Sequence, residues 1–176
     1  MIFTPTPIQG AFIVDIEPRA DERGMFARVF CEKEFAAQGL PTNFVQTNVS
    51  RCAKAGIIRG LHMQTEPHGE PKFFRCTQGA IYEAFVDLRP DSPSYKKWFG
   101  VKLEAETHRM LFVPAGCANG YQALTDGAEA TYSVGEFYHP ESERGIRWND
   151  HAFNIDWPIK DAILSPKDAA WPDFTS

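Results

Sequence analysis

No stretch of this sequence approaches the roughly 18 consecutive apolar residues of a membrane-spanning helix, so a membrane-embedded chain is not expected. The segment from Met1 to Gly24 lacks a basic stretch followed by an apolar one, and does not read as a secretory signal. Basic residues are the minority, 18 Lys plus Arg against 23 Asp plus Glu, for a net charge of −5. A nucleic-acid partner or an anionic membrane surface needs a basic excess. Neither is expected, although whole-chain charge does not exclude one small basic pocket. Cysteine is sparse: Cys31, Cys52, Cys76 and Cys117 are dispersed, with no C-x-x-C pair. They read as reduced thiols in a cytoplasmic protein, and a zinc site needs closer ligand spacing. Four methionines against 14 Phe and 13 Pro favour packed strands with many turns over a helical bundle. The chain is nonetheless 43% hydrophobic and 13% aromatic, which excludes disorder. Its 176 residues suit one domain, 1–176.

An alternating run from Ile8 to Ile16 predicts a strand, and Asp21-Glu22-Arg23-Gly24 a turn. Val29 to Phe35 predicts a short segment, such as a helical turn, ending near Gly39-Leu40-Pro41, and Phe44 to Ser50 is β-rich. Strand candidates then recur at Ile57–Gln64, Phe73–Thr77, Ala80–Leu88, Trp98–Leu103, Met110–Val113, Gly120–Leu124 and Ala128–Tyr138. Turn signals every 8–12 residues or so between them indicate an all-β sandwich or barrel. The last 25 or so residues predict a short irregular or helical cap.

Period-2 alternation puts Tyr82, Ala84, Val86 and Leu88 on one face and Ile81, Glu83, Phe85 and Asp87 on the other. Both faces are partly apolar, as expected for a strand covered on one side and paired into a dimer on the other. In Ile57–Gln64 the alternation separates Arg59 from His62. If both serve one site, Gly60 must form a bulge, or Arg59 must lie where strand meets loop. His62 has two readings, a satisfied core histidine or a catalytic one, and the nearby Lys72 and the loop Pro67-His68-Gly69-Glu70-Pro71 favour the second. A metal is not expected here. The strand order resembles cupin barrels, whose ligands include His-x-His and a later His after a Pro-x-Gly turn, yet Gln64 and Asn119 occupy two of those places. What remains is acid–base chemistry: His62 as a group titrating near neutrality, Tyr132 as an inward-facing donor or simply a core aromatic, and Asp168 as a partner orienting the imidazole.

At this point the motifs resemble the dTDP-4-dehydrorhamnose 3,5-epimerase family. Arg59-Gly60-Leu61-His62 with Gln64 is similar to its first motif, and Val86-Asp87-Leu88-Arg89 with Ser92-Pro93 to its central strand and turn. Phe112-Val113-Pro114-x-Gly116, Glu143 to Trp148, Ile155-Asp156-Trp157-Pro158 and Leu164-Ser165-x-Lys167-Asp168 continue the likeness, and Asp21-x-Arg23-Gly24-x-Phe26 extends it to the N-terminus. The resemblance implies an all-β, cupin-like jelly-roll barrel with a core at about 44–150, N-terminal strands and a short C-terminal cap. It implies a cofactor-free homodimer acting on a nucleotide-diphosphate sugar, a 4-keto-6-deoxyhexose. His62 resembles the base, Asp168 its partner, Tyr132 the acid, and Lys72 the cation beside the carbonyl oxygen. Arg23 and Arg59 resemble pyrophosphate contacts and Tyr138 the residue stacking on the base. Phe26, Arg28, Gln46, Asn48, Asn119, Glu143 and Lys167 fall at further substrate-binding positions. Arg23, Arg28, Arg59, Lys72 and Lys167 are therefore expected in one basic cleft.

Three positions depart from the pattern. Asn119 stands for the family's second-half His, Arg28 for a Glu, and Glu83 for the usual Asp. They leave open the nucleotide carrier and which of C3 and C5 is inverted. A sugar-nucleotide 3,4-ketoisomerase and a catalytically idle sugar-nucleotide-binding cupin are the alternatives.

Overall fold

The computed structural model describes residues 1–175. It is built from two antiparallel sheets packed face to face. The six-stranded sheet has the order β1 (Ile2–Pro5), β2 (Phe12–Asp15), β10 (Met110–Val113), β7 (Lys72–Gln78), β12 (Glu129–Val134), β5 (Gln46–Arg51). The five-stranded sheet runs β13 (Glu143–Gly145), β6 (Ile58–Gln64), β11 (Cys117–Ala123), β8 (Ala80–Asp87), β9 (Trp98–Glu104). A hairpin of β3 (Arg19–Asp21) and β4 (Gly24–Phe26) stands apart from both. The result is the expected cupin-like jelly roll.

Three apolar layers follow from strands that are buried on both faces. Between the sheets lie Phe74, Cys76, Ile81, Phe85, Leu103, Leu111 and Tyr121. Outside the six-stranded sheet, Val14, Phe73, Met110 and Phe112 pack under α1 (Glu32–Ala37). Outside the five-stranded sheet, Ile58, Leu61, Ala84, Val86 and Ala118 are covered by Ile146, Phe153, Ile155 and Trp157. This corrects one expectation: the second apolar face of β8 is not left for a dimer partner, because the chain's own C-terminal segment covers it. The run from Ile8 to Ile16 is also strand only over Phe12–Asp15, with Ile8 and Ala11 buried in the turn before it. The strand predicted at Gly120–Leu124 begins earlier, at Cys117.

The helix α1 opens with Glu32 and Glu34 in its first turn, where carboxylates offset the partial positive charge of the helix end. It closes in a Schellman turn. Leu40 N–H donates to Phe35 O at 3.0 Å and Gly39 N–H to Ala36 O at 3.0 Å, with Gly39 at φ +70°. That stop tucks Phe35 and Leu40 together beneath the sheet.

Of the two ways to bring Arg59 and His62 to one site, a bulge at Gly60 or a strand end at Arg59, the β6–β11 pairing shows the bulge. Asn119 pairs with His62 and Tyr121 with Arg59, so three steps along β6 match two along β11. Gly60 adopts φ +118°, and a Cβ there would lie 2.6 Å from Gly120 Cα. The extra residue turns Ile58 and Leu61 outward under the cap while Arg59 and His62 both face inward.

Phe35 is fully buried and sits edge-on or tilted against Phe3, Phe30, Phe44, Phe73 and Phe112. Phe35→Ala is expected to lower the unfolding free energy by about 3–5 kcal/mol, and Phe35→Leu by less. Urea titration followed by tryptophan fluorescence measures both.

Candidate active site

One end of the sandwich opens between the sheets into two cavities of about 280 and 180 Å³. Both are lined by His62, Lys72 and Tyr132, so they form one cleft. His62 reaches it from the bulged β6, Lys72 from the first residue of β7, and Tyr132 from β12, where its ring stacks on Phe74 with centroids 4.8 Å apart. Tyr132 is thus both a core aromatic and a cleft residue.

His62 Nε2 lies 2.6 Å from Asp168 Oδ1. Asp168 sits on α2 (Pro166–Ala169), whose N-cap is Ser165. Ser165 Oγ accepts from Asp168 N–H at 3.0 Å and donates to Asp168 Oδ2 at 2.8 Å. Ser165 is a positioning residue not singled out from the sequence, yet Ser165-x-x-Asp168 carries the spacing of a helix N-terminus. Burial pushes the Asp168 carboxyl up, but the hydrogen bonds from His62 and Ser165 outweigh it and hold the group below the usual range. An ionised Asp168 keeps the imidazole proton on Nε2 and leaves Nδ1 with a free lone pair. Tyr132 is shifted upward, first by burial and then by Glu70 and Glu83, against the opposing Arg59. Its hydroxyl therefore keeps its proton at neutral pH. Lys72 Nζ stands 3.3 Å from Glu70 Oε2, a partner outside the sequence motifs.

The inner wall holds a neutralised carboxyl. Glu83 is fully buried on β8, and its Oε1 accepts from Asn119 Nδ2 at 2.7 Å. Burial pushes the Glu83 carboxyl up to about 8, against the lowering effects of Asn119 and Lys72. Among the described residues, no donor reaches the buried Glu83 Oε2 or Asn119 Oδ1, and a proton on Glu83 adds a donor at this point. The longer Glu83 and the shorter Asn119 thus fit each other as a hydrogen-bonded pair.

The outer part of the cleft collects Gln46, Asn48, Tyr138 and Glu143. Gln46 Nε2 donates to Asn48 Oδ1 at 2.7 Å. Glu143 accepts from Tyr138 OH at 2.9 Å and from Lys167 Nζ at 2.6 Å. Tyr138 leaves 58% of its surface exposed at the rim. The deeper part adds Arg59 and Asn119, and also Ser50 and Tyr121, which are joined by a 2.7 Å hydrogen bond. Neither of the latter two carried a sequence signal.

Arg23, Phe26 and Arg28 line neither cavity. Arg23 is on the exposed hairpin, paired with Asp21 at 2.6 Å. Phe26 and Arg28 border a separate hollow near the N-terminus, where Arg28 pairs with Glu34 at 2.6 Å. One chain therefore does not assemble the expected five-cation cleft: Arg59 and Lys72 line it and Lys167 is held at its edge by Glu143.

The sequence matches the family model described as dTDP-4-dehydrorhamnose 3,5-epimerase over residues 5–176. It is 43% identical over 164 residues to the dTDP-4-dehydrorhamnose 3,5-epimerase of Shigella flexneri, a match spanning 93% of this chain and 90% of that protein. The crystal structure of dTDP-4-dehydrorhamnose 3,5-epimerase from Elizabethkingia anophelis superposes with a TM-score of 0.96 at 37% identity, covering 99% of this chain and 96% of that one. The Legionella pneumophila dTDP-6-deoxy-D-glucose-3,5-epimerase in complex with dTDP-4-keto-L-rhamnose gives a TM-score of 0.90 at 36% identity, over 98% and 92% of the two chains.

Because the folded protein holds the Glu83 proton far above the ordinary carboxylate range, that contribution to stability is complete at acid pH. It is lost as pH rises from about 4.5 to about 8. Glu83→Gln is expected to flatten this loss. Thermal unfolding of both proteins between pH 5 and 9 measures it, with the advantage of Glu83→Gln over wild type growing toward alkaline pH.

Proposed function

This chain belongs to the dTDP-4-dehydrorhamnose 3,5-epimerase family, isomerases that act on sugar nucleotides, and from that premise we propose that it epimerises a nucleotide-linked 4-keto-6-deoxyhexose without a cofactor. The observation that carries this reading is the His62–Asp168 pair facing Tyr132 and Lys72 in a single cleft. The C4 ketone acidifies the C–H bonds at C3 and C5. His62 Nδ1 takes a proton from one face of the sugar while the imidazolium formed is stabilised by Asp168. The electron pair passes to the ketone oxygen, where the Lys72 ammonium meets the developing enolate charge. Tyr132 then returns a proton to the carbon from the opposite face, and the phenolate regains its proton from the imidazolium or from solvent. Arg59 suits the diphosphate, since a guanidinium fork matches phosphate oxygens. Tyr138, exposed at the rim, suits stacking on the nucleotide base. Gln46, Asn48, Glu143 and Lys167 offer polar contacts along the same wall. The product fits a deoxysugar donor for a surface polysaccharide or a glycosylated product.

The homodimer is part of this reading, on different ground from the strand faces. Phe26 is 71% exposed and Met25 48% exposed on the hairpin, and Val49 is 66% exposed on β5, an edge of the six-stranded sheet. A second copy would cover these side chains and bring Arg23 and Phe26 to a cleft other than their own. Sedimentation equilibrium is expected to give twice the chain mass, and Phe26→Asp to shift the protein toward monomer.

The chemistry is tested by incubating enzyme and 4-keto sugar nucleotide in D₂O and following C3 and C5 by NMR. Deuterium is expected at both carbons; uptake at one alone would restrict the enzyme to a single centre, and none with any nucleotide carrier would overturn the assignment. His62→Ala is expected to lose about 10²–10⁴-fold in turnover. Tyr132→Phe is expected to keep proton exchange better than net inversion. Wild-type rates in both variants would remove these roles.

A further inference from the structure

The rim of the cleft carries a cluster that the proton transfers do not use. The loop after β6 supplies His68, and the loop after β12 supplies Glu136 and His139. One ligand atom from each lies within 4.8 Å of the other two. The two imidazoles stack face to face, with centroids 3.5 Å apart and planes 13° apart. His139 Nδ1 is 3.2 Å from Glu141 Oε1, and its Nε2 is 3.9 Å from Glu136 Oε1. A carboxylate at Nδ1 fixes the proton on that nitrogen and leaves the Nε2 lone pair on the side of Glu136. Metal-ligating histidines are oriented by outer carboxylates in this way.

The backbone under the cluster is already ordered. Gln64 is buried, 3% exposed, at the end of β6. Its amide donates to His68 O at 3.2 Å and Phe137 O at 3.0 Å, and its carbonyl accepts from His139 N–H at 2.5 Å. One side chain therefore holds the backbone of both histidine-bearing loops, so an ion has side chains rather than backbone to order. Ligand atoms around a tetrahedral zinc stand about 3.3 Å apart, from bond lengths of roughly 2.0–2.1 Å. Stacked imidazoles direct their lone pairs along parallel planes, so an ion is held only after the two rings rotate out of the stack, a movement that also closes the 3.9 Å gap to Glu136.

We propose that His68, His139 and Glu136 bind a divalent transition-metal cation of the zinc class, with Glu141 orienting His139. Two imidazoles and one carboxylate suit zinc, nickel or copper; magnesium and calcium prefer all-oxygen shells. The ion joins the loop carrying Glu70 to the loop carrying Tyr138, and acts as a clamp at the cleft mouth, apart from the proton transfers at His62.

The test titrates the tag-free full chain, stripped of metal by dialysis against a chelator, with zinc chloride in a calorimeter. One ion per chain is expected. His68→Ala and His139→Ala should each weaken binding by more than 100-fold, Glu141→Gln should weaken it by about 10–100-fold, and His62→Ala should leave it unchanged. Cobalt(II) in place of zinc should give the strong visible absorption of a four-coordinate ion, absent in the His68→Ala protein. The proposal is overturned if the wild-type protein shows no saturable binding. It is equally overturned if the doubly substituted His68→Ala, His139→Ala protein binds zinc as tightly as wild type, or if His62→Ala loses as much affinity as His68→Ala.

Discussion

The hydrogen bond between His62 and Asp168 joins residues 106 positions apart, and much of the structure exists to make it possible. Asp168 can reach β6 only if the C-terminal segment lies flat on the five-stranded sheet. That segment is held by backbone bonds as well as by apolar contact: Ile58 N–H donates to Ile163 O and Ile163 N–H to Gly56 O, each at 2.9 Å. Phe153, Ile155 and Trp157 bury against Ile58, Leu61, Ala84 and Val86, and α2 then begins at a capped Ser165. A carboxylate so placed loses water, and the hydrogen bonds from His62 and Ser165 compensate that loss. The same burial that shapes the core thus sets the ionisation of the dyad.

A second constraint works from inside the sheet. A regular β6 would send Arg59 and His62 to opposite faces. The bulge at Gly60 spends one extra residue to bring both inward, and the close approach of Gly60 to Gly120 leaves no room for a side chain at either position. Beside it, the deepest carboxyl is Glu83, held neutral by burial and paired with Asn119. Lys72 therefore does not face a second full anion from within the wall. Its ion-pair partner, Glu70, lies on the loop between β6 and β7 instead.

Much of the architecture was legible from residue pattern alone. Turn chemistry and alternation located β6 through β10 to within a residue or so, because Gly or Pro lies near most of their ends. Gly39-Leu40-Pro41 marked the end of α1 for the reason the structure shows, a left-handed glycine followed by an apolar residue that returns to the core. That the alternation must break between Arg59 and His62 followed from two residue positions and the two-residue repeat, and the structure chose a bulge at Gly60 over a strand end at Arg59. Motif resemblance supplied His62, Lys72, Tyr132 and Asp168, and these do line one cleft.

What pattern did not reveal is which distant segments meet. Alternation showed that β8 is apolar on both sides, but whether its outer face meets a second copy or the chain's own tail depends on the path of residues 146–164. Charge counts grouped five cations by motif, whereas Arg23 and Arg28 found local carboxylates, Asp21 and Glu34, on parts of the chain outside the cleft. The pairing of Glu83 with Asn119 required neighbouring strands β8 and β11 in register, and no local signal encodes register between strands. The sequence by itself determined the strands, their turns and the chemical groups available, since those depend on interactions a few residues apart. Tertiary structure alone decided burial, ionisation and partnership, because each depends on which surfaces water leaves when the sheets close and the C-terminal segment docks.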